Sequence, residues 1–207
     1  MKPPAGAVHV WRVDLDAVPD DVERLLDVAE RRRASRIIRE PARRRWIAAR
    51  GALRLLLGSC LGEPPGGLRF GSEAHGKPVL DVSWDERLHF SLSHSGGLAV
   101  YAMTGLCPVG VDAELIRRSN APRRRPEQLR AWVRYEAEVK RTGMGIAAGA
   151  AQRSEPGGWL CELDVGPDAV AALAASEELE VVLESGAVLE RQLGGDLAEA
   201  RSGAVSL

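Results

Sequence analysis

Three carboxylates and a lysine stand at spacings that suit phosphate chemistry. In Val109-Gly110-Val111-Asp112-Ala113-Glu114 a β-strand would project Asp112 and Glu114 from one face, because side chains two apart share a side of the pleat. Carboxylates so placed repel, and a hard divalent cation with oxygen ligands removes the repulsion. A solvated strand edge running into Arg117-Arg118 is the competing reading. Further along, Trp132, Glu136 and Lys140 recur every four residues and share one helix face. Glu136 is then a third carboxylate for the metal and Lys140 a phosphate ligand one turn away, or the two form an ordinary surface ion pair. A third run, Phe90-Ser91-Leu92-Ser93-His94-Ser95-Gly96, offers a phosphate hydroxyls, an imidazole and backbone N–H groups, or else simply caps a strand. It is no serine hydrolase: a GxSxG elbow is absent, and adjacent Ser93 and His94 do not make a nucleophile–base pair by proximity.

The elements that must position these residues follow from periodicity. Residues 7–15 alternate as a half-buried strand, and VERLLDVAERRRASRII has helical spacing up to Pro41. A second helix runs through ARRRWIAARGALRLLLGSCLG, ending near Gly58 or Gly62. After the Pro64–Gly67 loop come short strands in LRFGS, KPVLDV, LHFSLSH, LAVYAMT and PVGVDAE. A polar, proline-broken connection leads to a helix in QLRAWVRYEAEVKRTG. WLCELDV, a short helix DAVAALAAS and ELEVVLES close the fold, and a Gly/Ala/Ser-rich tail follows. A weak repeat aligns Trp46-Ile47, Arg50-Gly51 and Leu53-Arg54 with Trp132-Val133, Glu136-Ala137 and Val139-Lys140. The reading is therefore α+β, with an N-terminal half at 1–104, a C-terminal half at 105–190 and a frayed tail at 191–207.

Composition narrows the classes. The chain has 207 residues, 45% of them hydrophobic, and a net charge of −1, which suits a soluble globular protein with no strong pull toward nucleic acid or anionic membrane. RRRASRIIREPARRR raises a nucleic-acid reading, but no nucleic-acid motif accompanies it. No run approaches a membrane span, and Cys60, Cys107 and Cys161 form no CxxC pair, so a cytoplasmic protein with reduced thiols is expected. Of 28 basic side chains only Lys2, Lys77 and Lys140 are lysines, and two of them fall in the segments above or beside them.

In chain order, GKPVL, FSLSHS, VGVDAE and WVRYEAEVK resemble the motifs of 4′-phosphopantetheinyl transferases of the surfactin-synthetase type, over about Glu30 to Lys140. The resemblance implies transfer of the phosphopantetheine arm of coenzyme A to a serine of an acyl or peptidyl carrier protein, releasing adenosine 3′,5′-bisphosphate. It also implies a pseudo-twofold fold of two similar halves, a site in the cleft between them, and a sufficient monomer. By motif position Asp112, Glu114 and Glu136 would bind Mg²⁺, or Mn²⁺ in its place. Lys77, Ser93, His94 and Lys140 would meet the coenzyme's phosphates, and Arg33 and Arg45 would line its pocket. Glu136 is the expected base, with Asp112 and Lys140 acting beside it.

The sequence departs from that family at Tyr135, where a lysine is usual, at Ser91 for asparagine and at Ala113 for a branched residue. The stretch between Glu114 and Trp132 is also short, and in place of a carrier-contacting helix it is basic, with Arg117, Arg118 and Arg123 to Arg125 facing an acidic carrier. Two readings follow: an active transferase, or a degenerate relative that binds coenzyme A or a carrier without turnover.

Overall fold

Strands with two apolar faces must be covered on both sides, and that need organises the molecule. A computed structural model describes residues 6–72, 78–80, 88–116, 125–143 and 158–184. Along the chain lie β1 (Ala7–Asp14), a 3₁₀ turn (Asp20–Leu25), α1 (Val28–Ser35), α2 (Glu40–Leu61), β2 (Phe70–Ser72), β3 (Pro78–Leu80), β4 (His89–Ser95) and β5 (Leu98–Thr104). Then follow β6 (Val109–Leu115), α3 (Pro126–Thr142), β7 (Trp159–Leu163), β8 (Ala169–Ala175) and β9 (Glu180–Glu184). One sheet has the order β4-β5-β1-β9, a second β6-β8-β7, and β2 and β3 form a small hairpin.

The two larger sheets stack face to face between two helices. Trp11 and Val13 of β1 and Tyr101 and Met103 of β5 face α2, where Leu53, Leu56 and Leu57 meet them. The alternate residues Val8, Val10, Val100 and Ala102 face the second sheet, against Val111, Ala113, Leu173 and Ala175. That sheet's outer face, Val170, Ala172 and Ala174, carries Val133 and Ala137 of α3. Small residues let α3 lie close. At Gly110 of β6 an added Cβ would stand 1.9 Å from the Ala137 carbonyl oxygen and 2.4 Å from the Arg141 nitrogen, a position no side chain can occupy.

Two expectations are corrected. DAVAALAAS is not a helix but β8, the central strand of its sheet, paired antiparallel with β6 and β7. Burial on both faces gives a continuous apolar run without alternation, and tertiary covering overrides the helical propensity of alanine. The single helix expected from Val22 onward is a 3₁₀ turn, an extended Leu26 and then α1. Asp27 restarts the helix with a capping box: its Oδ1 accepts from the Glu30 N–H at 2.8 Å, and its own N–H donates to Glu30 Oε2 at 2.9 Å. The proposed tail at 191–207 lies outside the described residues.

A buried ion network ties α1 to α2. The fully buried Arg54 donates from Nε to Glu30 Oε2 at 2.8 Å and from Nη2 to Asp27 Oδ2 at 3.0 Å. Its Nη1 donates to the carbonyls of Pro65 at 2.9 Å and Leu68 at 3.0 Å. Arg50 pairs with the other Glu30 oxygen, and both guanidinium groups lie over the Phe70 ring, at 4.0 and 5.0 Å. Removing one partner of such a cluster strands the others away from water. Arg54→Met is expected to lower unfolding stability by about 3 kcal/mol in urea titrations. Arg43→Ala, which breaks an exposed pair with Glu40, should change it by less than about 0.5 kcal/mol.

Candidate active site

β4 and β6 are edge strands of different sheets, and where they meet, serine side chains take the place of a backbone ladder. Ser91, Ser93 and Ser95 alternate along β4 and so share the face toward β6. The Ser91 hydroxyl accepts from the Val111 N–H at 3.0 Å. Ser93 donates to Asp112 Oδ1 at 2.7 Å, while Ser95 donates to Glu114 Oε2 at 2.6 Å and accepts from the Leu115 N–H at 3.3 Å.

Lys140 closes this seam from α3. Its Nζ donates to Asp112 Oδ1 at 2.6 Å, to the Val111 carbonyl at 3.1 Å and to the Leu92 carbonyl at 3.5 Å. Asp112 is only 3% exposed, and its second oxygen, Oδ2, is buried with no hydrogen-bond partner. Gly110 makes this reach possible, because it brings the Ala137–Arg141 turn of α3 onto β6. Glu136 is half-buried one turn before Lys140. Ile116 and Leu129 pack in one cluster with α3 and β8, so β6 and α3 run antiparallel.

The other expected residues surround this point unevenly. His94 follows Ser93 and therefore projects from the opposite face of β4, where it is exposed. Desolvation and then the nearby Lys140 charge lower its pKa, with Glu114 acting against them. Arg45 of α2 forks onto Asp16, at 2.8 Å to Oδ1 and 2.7 Å to Oδ2, beside the Gly96-Gly97 turn that follows Ser95. The hydrogen bond lowers the pKa of Asp16 and raises that of Arg45. Arg33 lies 5.7 Å from the centre of the Trp46 ring, next to Arg45 in sequence. Lys77 and four of the basic residues expected to face a carrier, Arg117, Arg118, Arg123 and Arg124, fall outside the described residues. The serine seam and the Asp16 fork were not anticipated, although three serines at alternate strand positions carry the signal for the first.

The donor set suits a hard dication bound with help from a ligand. Among the described residues no three His, Cys, Asp or Glu side chains converge as a ready cage. Mg²⁺ rarely needs one: it is held by one or two carboxylates together with substrate phosphates and water. The orphaned, buried Oδ2 of Asp112, with Glu114 two residues on along β6, meets that requirement. Among the described residues, no helix is long and apolar enough to cross a membrane.

No protein-family model matches the chain. The 4′-phosphopantetheinyl transferase HetI of Nostoc is 37% identical to it over 177 residues, spanning 70% of this chain and 75% of that protein.

The lowered pKa of His94 has a measurable consequence. The unfolded chain takes up the imidazole proton near the ordinary value of 6.5, and the folded chain only below it. Protons thus favour the unfolded state as pH falls through that window, and stability falls with them. His94→Gln, which cannot titrate, should lose less melting temperature than the parent chain between about pH 7 and pH 5. Identical pH slopes would contradict the assigned direction.

Proposed function

The chain belongs to the 4′-phosphopantetheinyl transferases, and we propose that it moves the phosphopantetheine arm of coenzyme A to a serine hydroxyl of an acyl or peptidyl carrier protein, releasing adenosine 3′,5′-bisphosphate. The observation that carries this reading is the Asp112 carboxylate, with one oxygen held by Ser93 and Lys140 and the other left buried and unpartnered. The finer reading is the surfactin-synthetase type: two similar halves in one monomeric, cytoplasmic chain, with the site at their junction. The stacking of one helix-backed sheet on another supports it.

In this reading Asp112, Glu114 and Glu136 hold Mg²⁺ or Mn²⁺. When bound, the ion neutralises the charge of the coenzyme's diphosphate oxygens. The chain's own residues do the positioning. Ser93 and Ser95 fix the two carboxylates on β6 by hydrogen bonds, so that their oxygens need not reorganise when a ligand arrives. Lys140 presents an ammonium to the phosphate oxygens that gain charge as the bond to the departing bisphosphate breaks. His94 serves the coenzyme's phosphates as an N–H donor. Arg45 can do so by exchanging Asp16 for a phosphate, and Arg33 and Lys77 are assigned to the same ligand. Glu136 accepts the proton of the attacking serine, directly or through a water. Arg125 and the basic residues before it face the acidic surface of the carrier.

Incubating an apo carrier protein with coenzyme A, Mg²⁺ and this protein should add the mass of one phosphopantetheine arm, read by mass spectrometry. Asp112→Asn and Glu136→Ala should each slow the gain by about a hundredfold or more. No gain on fatty-acid, polyketide or peptide carriers, with coenzyme A binding intact, would replace the transferase reading with a non-catalytic binder.

A further inference from the structure

Lys140 sits where a cation belongs. Its ammonium is surrounded by oxygens alone among the partners identified above: Asp112 Oδ1 at 2.6 Å, the Val111 carbonyl at 3.1 Å and the Leu92 carbonyl at 3.5 Å. The aspartate side chain is 4% exposed and the lysine side chain 27%, so the anion is fixed in the seam while the cation arrives from its open side. Ser93 holds the same carboxylate oxygen, which leaves Asp112 no freedom to turn away. The flexible four-carbon stem of a lysine can change partners, whereas the rigid fork of an arginine cannot do so without losing its geometry.

From this arrangement we infer that Lys140 is the resting counter-ion of Asp112, which opposes a divalent ion until a diphosphate draws the ammonium away. The inference rests on the metal site proposed above. A dication at the buried, unpartnered Oδ2 shares a carboxylate with the lysine's positive charge, and in a poorly hydrated seam that repulsion is weakly screened. A diphosphate supplies the ammonium with new anionic oxygens and turns the opposition into a shared attraction. Metal and coenzyme therefore favour each other's binding, and by linkage the effect is reciprocal. Until both are present, the lysine keeps the two sheet edges pinned.

The test needs no turnover. Mn²⁺ affinity is measured from the free-ion electron paramagnetic resonance signal without coenzyme, and coenzyme A affinity by calorimetry with and without Mn²⁺. Lys140→Met should bind Mn²⁺ about tenfold more tightly than the parent chain when coenzyme is absent. The metal-dependent gain in coenzyme A affinity should shrink in the same variant. Damage to the fold cannot produce tighter binding, and Lys140→Gln gives the same reading if the methionine variant fails to fold. Unchanged or weaker Mn²⁺ binding in both variants, with Asp112→Asn abolishing it, would overturn the inference and leave the metal site standing. Absence of Mn²⁺ binding in every protein, with or without coenzyme A, would overturn both.

Discussion

A carboxylate taken out of water must find compensation, and Asp112 makes that demand at the join between two sheets. Its surroundings answer with a hydroxyl from one sheet and an ammonium from a helix backed on the other. The join is thus a polar seam at its edge, although apolar side chains fill the space between the sheets. A purely hydrophobic join would bind the layers as firmly and offer a ligand nothing. Leaving one buried oxygen without a partner stores a cost that only a visiting cation or donor can relieve.

At the positions aligned by the sequence repeat, the two long helices do opposite work. Arg50 and Arg54 of α2 turn inward to Glu30, Asp27 and the backbone at Pro65 and Leu68, and Arg54 is wholly buried. The fork geometry of arginine suits such a fixed, many-sided cluster. Lys140, the counterpart of Arg54, remains partly open and makes a looser set of contacts. One helix carries ions that close the fold; the other carries a lysine that reaches Asp112 at the join of the two sheets.

The half-buried strand β1 and the helices α2 and α3 were legible in the sequence, whereas the apolar spacing from Val22 onward concealed a break between a 3₁₀ turn and α1. The pairing of Asp112 and Glu114 on one side of β6 was legible too, because it needs only the two-residue repeat of a strand. β8 was not, because a run buried on both faces loses the alternation by which strands are read, and its alanines favour helix when taken alone. The Arg50–Arg54 cluster was hidden for a different reason: charged residues in a helix look like its solvated face. Only the position of Arg54 inside Leu53-Arg54-Leu55-Leu56-Leu57 marks it as interior. Ser91 looked like a mere departure from a family motif until its hydroxyl was seen to accept from Val111. Contacts across elements such as this leave no periodic trace.

The parallel pairing of β9 with β1 joins residues about as far apart as the described chain allows, Ala7 opposite Glu180, and a His9–Glu184 contact at 2.5 Å fastens the pair. During synthesis the first sheet must therefore wait with an open edge beside β1 until β9 has left the ribosome. Closure of that long loop opposes folding entropically and makes assembly slower than helices or hairpins alone would require. A nascent chain halted before residue 180 would carry an unsatisfied strand edge, the kind of surface that chaperones hold and that aggregates recruit.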